Sequence, residues 1–125
     1  MKFTLDRQEK YNTIKLNEEK LDATLAPDLK SEFLAIADQG VDNLIVDLSD
    51  VKYIDSSGLS ALLVGNRVYS EAGGSFVLAG VSDHAMKLIT ISQLDKVLDI
   101  VPTVEEAVDS VFMDELAKGM ESEED

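Results

Sequence analysis

The chain has 125 residues and a formal net charge of -14, from 25 Asp and Glu residues against 11 Lys and Arg. Its hydrophobic and charged fractions, 45% and 29%, fit one globular domain. The acidic balance argues against nucleic acid and direct membrane contact, since both depend mainly on Lys and Arg. The lack of cysteine excludes disulfides and thiol chemistry, and no segment has the pattern of a signal peptide or membrane span. We therefore expect a cytoplasmic protein whose acidic surface suits a basic partner.

The N-terminal segment predicts a β-hairpin followed by a helix. Phe3 and Leu5 alternate with polar residues, as do Ile14 and Leu16. The period then becomes helical in "LDATLAPDLKSEFLAIADQG", with Thr24 expected as the N-cap and Gly40 as the stop.

Strands and helices alternate in the rest of the chain. "NLIVDLS" and "SFVLAG" read as buried strands, and the apolar segment that begins "GLSALLVG" reads as a helix between them. "SDHAMKLITIS" predicts a helix capped by Ser82, and "KVLDIV" predicts the last strand. Thr103 and Glu106 form the capping-box pattern of a final helix.

This order predicts an α/β fold with a mixed, mostly parallel sheet of about five strands. The hairpin forms its antiparallel edge, and about four helices cover it. We expect the domain to span residues 1–113. Residues 114–125 are strongly acidic, and we expect them to form a solvated, disordered tail.

The segment "YIDSSGLSALL", residues 53–63, lies between a predicted strand end and a helix start, where ligands and modifications gather in α/β sheets. Ser56 or Ser57 is expected as the N-cap, and Gly58 can simply allow close packing. A phosphate on either serine would add a charge of about -1.5 to -2 at a helix end that favours anions. Asp55 and acids on a facing surface would be repelled. The spacing of these residues alone does not decide whether the serines cap the helix or are sites of modification.

Other chemistry has little support, and we expect a binding protein without a cofactor, a metal site or catalytic residues. The only histidine, His84, lies near a helix start, and the G-x-S-x-G, Walker and G-x-G-x-x-G motifs are absent. Asp47 resembles the phospho-acceptor of receiver domains. Those domains also need an acidic magnesium cluster after the first strand, and here "LDRQ" leads into a hairpin.

Together these segments resemble the STAS domain of bacterial anti-sigma factor antagonists. The resemblance runs from Lys2 to Phe112, and "D-S-S-G-L" after an apolar strand is its most specific signature. In that family the serine after the aspartate is phosphorylated by a partner that is both anti-sigma factor and serine kinase, and a PP2C-type phosphatase reverses the step. The resemblance implies Ser56 as the acceptor, with Ser57 as the alternative acceptor or the plain cap. It implies partner binding through Asp22, Asp55, Ser56, Ser57, Gly58 and Leu59.

The family also includes accessory subunits of transporters and signalling scaffolds without a phospho-switch, which is the alternative function. Two positions depart from the family pattern. The segment "NEEK" before Leu21 lacks the usual glycine, and Gln93 stands where the family often has glycine. Both departures lie near the expected partner surface or its support.

Overall fold

The structure is a computed structural model that describes the backbone of residues 1–124 and the side chains of residues 1–119. Its elements in chain order are β1 (Phe3–Arg7), β2 (Asn12–Leu16), β3 (Lys20–Leu21), α1 (Ala26–Ala37), β4 (Leu44–Asp47), β5 (Tyr53–Ile54), α2 (Ser56–Glu71), β6 (Phe76–Ala79), α3 (Asp83–Ile91), a 3-10 turn (Leu94–Lys96), β7 (Asp99–Val101) and α4 (Val104–Glu124).

Five strands form the main sheet in the order β1-β2-β4-β6-β7. β1 and β2 pair antiparallel, and every other neighbouring pair is parallel. In register, Ile14 lies beside Val46, which lies beside Leu78. The predicted α/β class, the N-terminal hairpin and the mostly parallel five-stranded sheet are therefore confirmed.

The helices cover both faces of this sheet. On β4, Leu44 and Val46 belong to the larger core, which also contains buried residues of α1, α2 and α3. Ile45 between them packs on the opposite face, with Ala107 and Val111 of α4. Because successive strand residues point to opposite faces, a strand covered on both sides must be apolar at every position.

The predicted caps of α3 and α4 are confirmed, and the predicted cap of α1 is wrong. The hydroxyl of Ser82 accepts a hydrogen bond from the backbone N–H of Ala85 at 3.1 Å, and Thr103 accepts one from Glu106 N–H at 3.1 Å. Thr24 does not cap α1, whose N-cap is Leu25 without a side-chain hydrogen bond. The hydroxyl of Thr24 instead donates to the carboxylate of Asp22, so the aspartate competes for the cap side chain.

The short strands β3 and β5 form a second, parallel sheet that the sequence pattern does not predict. Each contains only two residues, which is too short for a periodicity to be read. Gln93, just before the 3-10 turn, adopts the left-handed conformation with φ of 61°. This conformation explains why glycine suits that position in the family.

α4 continues through residue 124, so the described part of residues 114–125 is helical and not the disordered tail expected from its charge. Polar side chains tie this part to the end of the sheet. Asp114 accepts from the Ser75 hydroxyl at 2.9 Å, and Glu115 accepts from the Asn43 side-chain amide at 2.9 Å. Lys118 donates to the Gly73 carbonyl oxygen. A search for apolar periodicity misses these contacts because the side chains that make them are polar. Asp125 lies outside the described residues.

Candidate functional site

The small sheet of β3 and β5 brings two distant acidic residues into one region. Leu21 pairs with Ile54, and the backbone N–H of Asp55 donates to the Leu21 carbonyl oxygen at 3.2 Å. Asp22 and Asp55 directly follow these paired residues. The predicted partner-binding acids therefore leave the same end of a parallel strand pair, although 33 positions separate them in the sequence.

The N-cap of α2 is Asp55, which corrects the expectation that Ser56 or Ser57 caps the helix. Asp55 is extended, and its Oδ1 accepts a hydrogen bond from the Gly58 N–H at 2.9 Å. Aspartate caps helices as well as serine does, and its negative charge also favours the helix N-terminus. Ser56 and Ser57 are consequently the first two residues of the helix.

The two serine side chains differ in exposure. Ser56 is exposed and Ser57 is half-buried. Within the part of the chain whose side chains are described, neither hydroxyl makes a hydrogen bond. The hydroxyls of the capping residues Ser82 and Thr103, in contrast, each accept one. The Ser56 hydroxyl is thus accessible to solvent and has no part in holding the helix start.

Gly58 and Leu59 lie beneath the surface of the site, in the core. Both are buried, and a Cβ atom on Gly58 would overlap the Leu21 carbonyl oxygen and lie 2.8 Å from Leu21 Cγ. Leu59 is 4% exposed and belongs to the core. Gly58 allows α2 to lie close to β3, and both residues present little surface of their own.

Asp22 is held by a local turn. Its Oδ1 accepts from the Thr24 hydroxyl at 2.6 Å and from the Thr24 N–H at 3.0 Å. These two hydrogen bonds, the hydroxyl one first, lower the pKa of the Asp22 carboxyl below its ordinary value. The half-buried Asp22 side chain therefore carries a negative charge near the start of α2.

The histidine and Asp47 serve local contacts. The His84 ring packs edge-on against Tyr53, with ring centroids 5.1 Å apart, and Tyr53 remains 47% exposed. Tyr53 is an exposed aromatic residue beside the site, and the sequence analysis did not identify it. Its position directly before the buried Ile54 could have indicated that its side chain points to the surface. Asp47 accepts from the Ser49 N–H at 3.0 Å, as in a turn.

Neither a metal centre nor a membrane span is found in the described part of the chain. No three His, Asp or Glu side chains there lie close enough together to hold a metal ion. No helix there has both the length and the hydropathy to cross a bilayer.

Comparison with known proteins places this geometry in a family. The family model of the STAS domain matches residues 4–107. The anti-sigma-B factor antagonist of Bacillus subtilis is 32% identical over 101 residues, which are 80% of this chain and 92% of that protein.

Solved structures share the fold. SpoIIAA, an anti-sigma factor antagonist, in its unphosphorylated form superposes with a TM-score of 0.74 at 24% identity, covering 88% of this chain and 96% of that one. The phosphorylated form of the Bacillus cell fate determinant SpoIIAA gives 0.67 at 24% identity, covering 88% and 99%. A sulfate transporter family protein of Wolinella succinogenes gives 0.72 at 17% identity, covering 84% and 87%. The chain belongs to the STAS domain family.

Proposed function

We propose that this protein is an anti-sigma factor antagonist controlled by phosphorylation of Ser56. The unphosphorylated protein binds an anti-sigma factor that is also a serine kinase and thereby releases a sigma factor. Phosphorylation of Ser56 ends the binding, and a PP2C-type phosphatase restores it. The observation that carries the proposal is the exposed hydroxyl of Ser56, which makes no hydrogen bond within the described residues and lies next to an Asp55 that already caps the helix.

The phosphorylation step requires no rearrangement of the helix start. Ser56 Oγ forms a bond to the γ-phosphorus of ATP, ADP leaves, and the hydroxyl proton is lost to the kinase or to water. Because Asp55 and not the serine binds the Gly58 N–H, the cap stays intact when Ser56 is modified. The first N–H groups of a helix have no partner within it, so the helix end tolerates the new anion.

A partner surface would experience the same phosphate differently. The phosphate adds a charge of about -1.5 to -2 beside Asp22 and Asp55. An acid on the partner at about 4 Å would be repelled by on the order of 1 kcal/mol in water and about 4 at an effective dielectric of 20. Since about 1.4 kcal/mol changes an equilibrium tenfold, a few such pairs suffice to dissociate a complex.

The relatives support this reading. The B. subtilis relative is named an anti-sigma-B factor antagonist, and SpoIIAA is described in both unphosphorylated and phosphorylated forms. The protein would then act as a binding partner and kinase substrate and not as an enzyme.

The test compares four variants for binding to the cognate anti-sigma kinase. Ser56→Ala should bind as the native protein does, and Ser56→Asp should bind at least about tenfold more weakly because it adds a negative charge at the interface. Ser57→Ala and Ser57→Asp are the matched controls one residue away. Mass spectrometry of protein from its native cell should locate phosphate on Ser56. Equal binding by both Ser56 variants, or phosphate on Ser57 alone, would contradict the proposal.

The second candidate is an accessory subunit of a transporter or signalling scaffold without a switch. The fold is compatible with it, since a sulfate transporter family protein shares the fold. Co-purification distinguishes the two functions: a small serine kinase in the complex supports the antagonist, and a transporter subunit supports the alternative.

A further inference from the structure

A stripe of exposed apolar side chains runs along the outer face of α4. Phe112, Met113 and Leu116 are 48%, 65% and 60% exposed, and their spacing places them side by side on the helix. We call these three residues the α4 stripe. Scattered exposed apolar residues are normal on proteins, but a contiguous group marks an interaction surface.

The α4 stripe is held rigidly in place. Below it, Val111 and Ala107 are fully buried against the sheet. The hydrogen bonds of Asp114 and Glu115 fix the helix on the side away from the stripe. The Phe112 ring also packs edge-on against Tyr11, with centroids 6.0 Å apart. A partner therefore loses little free energy in ordering this surface, which favours binding.

The charges around the α4 stripe define its partner. Glu105 and Asp109 precede it on the exposed side of the helix, and "ESEED" follows it in the sequence. Lys118, the one basic residue of the helix, is occupied by the Gly73 carbonyl oxygen. An apolar strip that follows exposed acids on the same helix, with further acids next in the sequence, is complementary to a helix that has an apolar face and Lys or Arg beside it.

We propose that the α4 stripe is a second interaction surface, which binds a basic amphipathic helix of a partner protein. A second copy of this chain fits poorly, because pairing two α4 helices would bring acids against acids between molecules of net charge -14. The surface lies on the opposite face of the sheet from α1, α2 and α3. Binding there is consequently independent of the proposed switch at Ser56.

The test uses a fluorescent synthetic peptide of about five helical turns, with a leucine stripe flanked by lysines. Its control has every lysine replaced by glutamate. The full-length protein is compared with the double variant Met113→Ala/Leu116→Ala and with the matched double variant Leu34→Ala/Ile91→Ala. The matched pair removes two exposed apolar side chains from other helices at equal net charge, since Leu34 and Ile91 are 54% and 79% exposed.

The lysine peptide should bind, the glutamate peptide should not, and the α4 variant should bind about tenfold more weakly while the matched variant changes by less than about twofold. Ser56→Asp should leave this binding unchanged, which separates the result from that of the proposed function. Absence of binding, equal loss in both double variants, or loss in Ser56→Asp would overturn the proposal. Self-association through α4 in sedimentation experiments would replace it with a second copy of the chain.

Discussion

The Asp55 carboxylate accepts a hydrogen bond from the Gly58 N–H at 2.9 Å, closing the first turn of α2. The aspartate and the glycine of the D-S-S-G segment therefore stabilise the start of the helix. Asp55 caps the helix, and Gly58 lets the helix approach the backbone of Leu21. Among the described residues, neither of the two serines between them makes a side-chain hydrogen bond, and the Ser56 side chain is exposed.

This division of roles predicts a large effect on stability for Asp55→Ala and a small one for Ser57→Ala. Asp55→Ala removes the cap and should lower the free energy of unfolding by about 0.5–2 kcal/mol. Ser57→Ala removes no hydrogen bond and should change it by less than about 0.5 kcal/mol. Urea unfolding followed by circular dichroism measures both. A larger loss in Ser57→Ala than in Asp55→Ala would return the cap to the serine.

A second prediction concerns the contact between α2 and β3. Gly58→Ala places a methyl group on the Leu21 carbonyl oxygen and should destabilise the fold by about 1–3 kcal/mol. Gly119→Ala is the matched control, because nothing lies within 4 Å of a Cβ there and alanine favours a helix by about 0.5–1 kcal/mol. Thermal unfolding should thus shift in opposite directions in the two variants. A neutral Gly58→Ala would mean that β3 moves aside freely.

Asp22→Asn tests the charge of Asp22 separately from its turn. The amide oxygen of asparagine can still accept from Thr24, so the free energy of unfolding should change little. If a basic group of the anti-sigma kinase faces Asp22, loss of the charge should weaken binding by up to about fivefold. Calorimetric titration at low and high salt measures the effect, which should shrink with salt. A salt-independent loss would contradict an electrostatic contact.

The pH dependence of stability should reflect Asp99. Partial burial of its carboxyl, and then the nearby Asp114 carboxylate, raise the pKa of Asp99 above 3.8. Ionised Asp99 therefore destabilises the folded chain above its folded-state pKa, and this cost disappears below pH 3.8, where the group is protonated in both states. The residue remains largely exposed, so the effect should be small.

Asp99→Asn should accordingly be more stable than the native protein at pH 7, with the difference vanishing as the pH approaches 3.8. Denaturant midpoints measured across this range provide the comparison. Asp95→Asn, on the exposed 3-10 turn, is the control for a general loss of negative charge. A benefit of Asp99→Asn that grows at low pH would have the wrong sign for this explanation.

Gln93→Gly should stabilise the protein. The left-handed conformation costs a residue with a side chain roughly 1–2 kcal/mol, and glycine loses about 0.5–1 kcal/mol through its flexibility. The net gain expected from the φ of 61° is therefore up to about 1.5 kcal/mol. Differential scanning calorimetry measures it, with Gln93→Ala as the control that should bring no gain. A destabilised Gln93→Gly would show that the Gln93 side chain makes a favourable contact.

The predicted and unpredicted parts of the site differ in a physical way. The alternation at Phe3 and Leu5 predicted the hairpin, and the apolar run Leu44 to Val46 predicted the central strand, because burial of one or two faces imposes the pattern directly. Caps were less predictable. Thr24 and Ser57 have suitable side chains, but the Asp22 carboxylate accepts from the Thr24 hydroxyl and the Asp55 carboxylate accepts from the Gly58 N–H. The sequence does not rank these alternatives.

By itself, the sequence determined the order of the elements, the α/β class and the segment that contains Ser56, since these depend on local periodicity and on a short motif. Only the tertiary structure decided that β3 pairs with β5, that Asp55 is the cap, and that the acidic C-terminal segment is an anchored helix. Pairing of distant two-residue strands depends on close approach at Gly58. The anchoring of Asp114 and Glu115 depends on buried Ser75 and Asn43, which only the folded chain brings within hydrogen-bonding distance.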